Sequence, residues 1–210
     1  MTIQIVPYDP LWPVAFARER TAVVALCGER VRAIEHIGST AVVGLAAKPV
    51  IDLAVAVDSV EDAQAPLVET LAAIGYEPFD AGMVGRLLFV RGTNGQRTHH
   101  LHVLPLARWH DLKERLFRDW LREHPEDRDR YASLKRALAA RFSDISSYTR
   151  AKTDLIQELV DAARAARGLP STPVWEGNER DPGTPATAGS KSDDRAGRAD
   201  PSGVPPERDG

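Results

Sequence analysis

Only one cysteine, Cys27, occurs in the 210 residues. That excludes an intrachain disulfide, and no cysteine pair marks a zinc site. No apolar run approaches the roughly 20 residues that span a bilayer. Neither sign of charge dominates: the formal net charge is −3, with both signs mixed along the chain. The chain therefore has no broad basic field for nucleic acid and no polybasic patch for a membrane surface. A local basic pocket for a small phosphate ligand stays open. The opening residues, MTIQIVPYDPLWP, lack the charged and then apolar pattern of a signal peptide. A cytoplasmic protein is expected.

Apolar residues make up 43% of the chain, enough for a buried core. They thin out after Gly168. From 169 to 210, Pro, Gly, Ser, Thr, Asp and Arg dominate, and the large apolar residues are only Leu169, Val174, Trp175 and Val204. Such a segment cannot bury enough surface to offset its ordering entropy. The reading is a folded domain over 1–168 and a disordered tail over 169–210.

Within the domain, elements alternate. Residues 3–6 read as a short strand, and a helix runs from Asp9-Pro10 to about Gly28. Residues 31–37 alternate apolar and polar, as a half-buried strand does. The run 50–57 is almost wholly apolar, as in a strand buried on both faces. A helix follows, with Ser59 as N-cap and Gly75 just past its end. Strands 86–91 and 98–104 flank Asn94-Gly95, a hairpin-turn signal. Three helices close the domain, around Leu112–Trp120, Tyr131–Phe142 and Tyr148–Leu159. Pro125 and Ser143-Asp144 separate them. The expected fold is α/β: a small mixed sheet, packed helices and a C-terminal helical segment.

The chemistry concentrates in residues 36–52, HIGSTAVVGLAAKPVID. A strand ends at Ile37, Gly38 gives a tight turn, and Ser39 and Thr40 sit where a helix can begin. Free backbone N–H groups and two hydroxyls there make a phosphate cradle; the plainer reading is a helix cap. Asp52 lies inside an apolar strand, where an ionised carboxylate needs a partner or a metal. The plainer reading is a salt bridge to Lys48 or Arg86. The segment is not a Walker A loop, because five residues separate Gly38 from Gly44 and Lys48 comes later. On strand 98–104, His100 and His102 share one face while Leu101 and Val103 take the other. Two imidazoles can bind a transition metal, contact phosphate or exchange protons; the plainer reading is a solvated strand face. Lys152 falls four residues after Tyr148, on one helix face with it. Its ammonium either meets a phosphate or snorkels out of the core. Arg86 and Arg97 are weaker candidates, each consistent with a strand-end charge.

Residues 36–52 resemble the GrpB family signature, with Val43 in place of its proline. The resemblance continues through Arg97–Val103, Phe117–Arg122 with His124-Pro125, then Tyr131, Leu134 and Lys135, and finally Tyr148 with Lys152. GrpB proteins are similar to nucleotidyltransferases, which carry a Gly-Ser turn, a strand with paired carboxylates and a further Asp on a neighbouring strand. Such carboxylates share two Mg²⁺ ions. Here Gly38-Ser39 and Asp52 match, but residue 54 is Ala and strand 98–104 has no acid. His100 and His102 stand in as replacements. The resemblance implies nucleotidyl transfer from a nucleoside triphosphate to a small-molecule hydroxyl or amine. Catalytic and metal-binding roles would fall on Asp52, His100 and His102, and phosphate binding on Gly38, Ser39, Thr40, Lys48, Arg86 and Lys152. The divalent metal would be Mg²⁺ or Mn²⁺. A second reading, from another class, is a non-catalytic module for a nucleotide or coenzyme A-like phosphate. That reading is compatible with the fusion of this domain to dephospho-CoA kinase in some proteins. Metal-assisted phosphoester hydrolysis by Asp52 and the two histidines is a third.

Overall fold

The computed structural model describes residues 3–174. In chain order the helices are α1 (Trp12–Cys27), α2 (Val60–Ala72), α3 (Lys113–Glu123), α4 (Pro125–Arg141), α5 (Ile145–Arg150) and α6 (Thr153–Ala165). The strands are β1 (Ala33–Ile37), β2 (Ile51–Val57), β3 (Glu77–Pro78), β4 (Leu87–Thr93) and β5 (Gln96–Pro105). They form one mixed sheet in the order β1-β2-β5-β4-β3. Strands β2 and β5 are parallel, joined by a crossover through α2 and the β3–β4 ribbon, and the other neighbours are antiparallel. Among the described residues, no helix is long and apolar enough to cross a membrane.

Local chemistry accounts for most boundaries. Pro13 sits in the first turn of α1, where its missing N–H is not needed. Ser59 caps α2 by accepting from the Asp62 N–H at 3.1 Å. Asn94 and Gly95 both have positive φ, 53° and 74°, as a tight hairpin turn between β4 and β5 requires. Pro125 opens α4 rather than merely separating it from α3.

Strand parity then sorts side chains onto two faces. Leu53, Val55, Leu101, Val103 and Phe89 point one way and pack with Val23 of α1 and Leu67 and Leu71 of α2. Asp52, Ala54, Ala56, His100, His102 and Leu104 point the other way, in the paired register Asp52↔His100 and Ala54↔His102. That second face is covered by Trp109, Leu112 and the C-terminal helices, with α3 packed on β1, α4 and α6.

Three expectations need correction. Residues 3–6 form no strand; Val6 makes a single bridge to Ala47. The last expected helix is two, because the chain turns at Ala151-Lys152 between α5 and α6. The chain also stays held past residue 168. Arg164 donates to the Pro170 carbonyl at 2.5 Å, Gln157 brackets Thr172 and Val174 at 3.0 and 2.8 Å, and Lys113 Nζ donates to the Val174 carbonyl at 2.8 Å. Those bonds supply an ordering energy that composition alone does not register. Residues 175–210 of the expected tail lie outside the described residues.

Candidate functional site

The site begins at the corner where β1 ends. Gly38 has φ +71°, and a Cβ there would fall into the Asp52 carboxylate, 2.9 Å from its Cγ. Glycine is therefore required both by backbone conformation and by the closeness of Asp52. The following residues make one 3₁₀ turn, Ser39–Ala41, not a full helix. Three arginines of α3 fix this corner. Arg118 donates to the His36 carbonyl at 2.8 Å and to Glu35 at 2.7 Å. Arg115 makes a two-pronged contact with Glu35 at 3.0 and 2.9 Å, and Arg122 donates twice to the Ala41 carbonyl. Charge-assisted, forked bonds of this kind set position as well as energy.

Beneath the turn, Asp52 Oδ1 and His100 Nδ1 are 2.9 Å apart. The plainer reading of Asp52 as a salt-bridged strand residue named Lys48 or Arg86; the hydrogen-bond partner seen here is His100. The partner comes from the neighbouring parallel strand, in direct register. Burial raises the Asp52 carboxyl, but the His100 hydrogen bond, with His102 and His36 beyond, outweighs it and holds the group below its ordinary value. His102 lies on the same face, its ring 6.3 Å from that of His100. Burial and then Arg86 push His102 down to about 3, so it is neutral near pH 7. Asp52, His100 and His102 each offer one donor atom, and these three atoms lie within 4.8 Å of one another. His100 Nε2 and His102 Nδ1 are buried without any hydrogen-bond partner.

The other expected residues divide. Ser39 and Gly38 line a cavity of about 240 Å³ next to this cluster. Arg86 lines it too, paired to Glu114 at 2.7 Å. Lys152 Nζ lies 4.4 Å from the Tyr148 ring centre, and Lys48 Nζ 5.7 Å from the same ring. Burial, then Lys48, lower Lys152 to about 8, while Asp52 pulls the other way. Thr40 turns inward instead. The residue is 1% exposed, and its hydroxyl donates to the Val50 carbonyl at 3.0 Å and meets His36 Nε2 at 3.0 Å. It is a strut of the turn, and its expected place in a phosphate cradle does not hold. Arg97 stacks on Phe79 at 4.1 Å, away from the cluster.

Two residues at the site were not among the expected site residues. Glu114, on α3, faces the cavity. Burial would raise its carboxyl, but Arg86 outweighs that and holds it down to about 2; its Oε2 is buried and unpartnered. Lys135, on α4, is 2% exposed and donates to Ser39 Oγ at 3.0 Å and to the Ala46 carbonyl at 2.5 Å. Burial, then Lys152 and Arg136, bring its ammonium down to about 7. Both come from helices whose docking, not their sequence pattern, brings Lys135 to the turn and Glu114 to the cavity. For Lys135 the clues were its place among the residues that carry the GrpB resemblance and its four-residue spacing from Tyr131, which puts the two on one helix face.

The family model described as GrpB protein matches residues 2–162. A UPF0157 protein of Pseudomonas aeruginosa is 41% identical over 173 residues, covering 80% of this chain and 70% of that protein. A dephospho-CoA kinase of Mycolicibacterium paratuberculosis is 28% identical over 203 residues, covering 83% of this chain but 48% of the kinase. The crystal structure of GrpB from Enterococcus faecalis superposes with a TM-score of 0.72 at 33% identity, covering 79% of this chain and 99% of that one.

Proposed function

The chain belongs to the GrpB family, and from that premise we propose that it is a metal-dependent nucleotidyltransferase-type protein. It would pass a nucleoside monophosphate from a triphosphate to a small-molecule hydroxyl or amine. The observation that carries this reading is the cluster of Asp52, His100 and His102 with two buried ring nitrogens left without partners. Buried polar atoms in native folds are nearly always paired, so two orphan ring nitrogens in a cluster of three potential metal ligands support a ligand there.

The donor set fits a divalent ion. Asp52 is ionised and His102 is neutral near pH 7, the protonation states that ligation needs. Asp52 Oδ1 at His100 Nδ1 leaves Nε2 as that ring's outward donor. Two imidazoles and one carboxylate suit Mn²⁺ better than Mg²⁺, which prefers oxygen. Such an ion, when bound, neutralises phosphate charge and acidifies a coordinated hydroxyl. The chain's own residues would orient the phosphates: the Ser39 hydroxyl at the turn, Lys48 and Lys152 about the Tyr148 ring, and Arg86 at the cavity wall.

A second reading has its own support. Ala54 stands opposite His102 where the paired carboxylate of a two-metal site belongs, and Glu35 on the next strand is taken up by Arg115 and Arg118. A site short of carboxylates is consistent with binding without turnover. The kinase likeness extends the candidate ligands to coenzyme A precursors. The test has two steps: thermal shift with each nucleoside triphosphate and with dephospho-coenzyme A, with and without Mn²⁺ or Mg²⁺, then pyrophosphate release with pooled acceptors. Mn²⁺-dependent release that is lost in Asp52→Ala supports transfer. Stabilisation by a nucleotide with no release under any metal supports the binding module. Robust Mg²⁺-dependent release that survives Asp52→Ala sinks the site assignment.

A further inference from the structure

Lys135 takes no part in the function proposed above, yet it is the most deeply buried lysine near the site. Its side chain is enclosed by α4 and the Ser39–Ala46 segment, and its amine has two near partners, Ser39 Oγ at 3.0 Å and the Ala46 carbonyl at 2.5 Å. Tyr131, one turn earlier on α4, also reaches the Ser39 side chain. Ser39 itself is half-buried and faces the 240 Å³ cavity, whose walls include Phe117, Ile156 and Val160 beside Arg86 and Lys113. A serine at a cavity wall, backed by a buried amine and a tyrosine hydroxyl, is the geometry of an activated nucleophile.

We propose that Ser39 is a nucleophile and Lys135 its general base, acting on a phosphoric or phosphonic ester whose apolar group lies against Phe117, Ile156 and Val160. The inference goes beyond nucleotidyl transfer and does not depend on it. A neutral amine has two protons and one lone pair. One N–H keeps the Ala46 carbonyl and the lone pair accepts the Ser39 proton. In the step, the Ser39 Oγ–P bond forms and the bond from phosphorus to the leaving group breaks, its electron pair departing with that group. The Ser39 proton passes to Lys135, which as an ammonium returns it to the leaving oxygen. Water then cleaves the Ser39 ester through the same amine. Burial of Lys135 favours its neutral form near pH 7, which supports a geometry that already stands on the contacts.

The experiment is covalent labelling of the full chain with an alkyl fluorophosphonate in EDTA, read by intact mass and peptide mapping. Fluoride is the leaving group, so neither metal nor nucleotide is needed. One adduct is expected, on the peptide carrying Ser39, and none in Ser39→Ala. Lys135→Met should slow labelling by about 100-fold or more. A purely structural lysine would shift the melting temperature and leave the labelling rate of the folded protein unchanged. If Lys135→Met does not fold, the wild-type rate against pH decides. It should rise and level off as Lys135 loses its proton near pH 7, with Lys152 and Arg136 the cations facing it and Tyr131 and Ser39 its polar neighbours. No adduct, an adduct elsewhere, an unchanged rate in folded Lys135→Met, or a flat pH profile overturns the proposal. Labelling without pyrophosphate release under any metal would retire nucleotidyl transfer and keep this nucleophile; release without labelling would do the reverse.

Discussion

Adjacent histidines on β5 face opposite environments. His99 points under α1 and α2, where Arg91 reaches its ring at 3.1 Å and pairs with Glu19 at 2.6 Å, while the Arg91 guanidinium lies 4.9 Å from the Tyr76 ring centre. Burial and then Arg91 lower the His99 pKa, and burial with Glu19 beside it raises that of Tyr76. This cluster ties α1 to the sheet through charge pairing. His100 and His102 point the other way, toward Asp52, and each keeps a buried nitrogen with no partner. Both clusters are buried and polar, and both perturb pKa values. Perturbed titration alone therefore does not separate the two clusters, and neither do unpartnered atoms, since Glu19 Oε1 and the Tyr76 hydroxyl are also buried without partners; the second cluster differs in bringing one ligand atom each of Asp52, His100 and His102 within 4.8 Å of one another.

The sharpest way to break that comparison is to remove one histidine from each face. His100→Ala or His102→Ala should abolish Mn²⁺ binding in calorimetry, while His99→Ala should leave it intact and lower stability instead. Asp52→Ala should likewise remove binding, with some loss of stability at pH 7, because the fold holds this carboxyl below its ordinary value. Mn²⁺ binding unchanged in His102→Ala would return the two histidines to the status of an ordinary strand face.

Next in size is the ion pair on the opposite face. Arg91→Met leaves Glu19, 7% exposed, without its cation. Leaving one buried partner uncompensated costs about 3–5 kcal/mol. Urea unfolding should show that loss while nucleotide and metal responses persist. A loss under about 1 kcal/mol would mean that water reaches Glu19 and the cluster is less structural than its contacts imply.

Gly38→Ala probes the boundary between the faces. The φ of +71° costs a residue with a Cβ about 1–3 kcal/mol, and the new Cβ displaces Asp52. Stability should fall by roughly that strain, and metal affinity should fall with it, because Asp52 can no longer hold His100 Nδ1. A drop in stability with unchanged affinity would show that Asp52 moves as a unit with His100.

Much of this was legible because it is local. The alternation His100-Leu101-His102-Val103 set both faces of β5 before any neighbour was known, and the apolar run of β2 announced a strand buried on both sides. Gly38 was readable as a tight turn, and Asn94-Gly95 as a hairpin. What escaped depends on docking. The partner of Asp52 follows from parallel register between strands separated by a whole crossover. Lys135 reaches the turn, and Glu114 the cavity beside it, only because α3 and α4 settle on one face of the sheet. Thr40 misled because Ser39 and Thr40 are neighbours in sequence but point to opposite sides of a single 3₁₀ turn. The break between α5 and α6 carries no proline or glycine to announce it.

The most gradual expected effect is in pH, and it again involves both faces. His36, stacked on Phe16 with ring centres 4.8 Å apart, is held down to about 4 chiefly by burial, and His102 to about 3 by burial and then Arg86. In the unfolded chain each returns to about 6.5. Between those values the unfolded state binds more protons than the folded one, so stability rises with pH through this window and is lost as pH falls from 6.5 toward 4. At pH 5 each group should contribute a loss on the order of 2 kcal/mol, and His99, also lowered, adds to it. Chemical denaturation at a series of pH values measures the slope. His36→Asn should remove one share of it and leave Mn²⁺ binding in place, whereas His102→Asn should remove another share together with binding. Saturating Mn²⁺ at pH 7 should stabilise wild type and His36→Asn alike, since the ion binds only the folded state. If His36→Asn alone flattened the whole slope, His102 would already be protonated in the fold, and the neutral imidazole on which the proposed metal site rests would not exist.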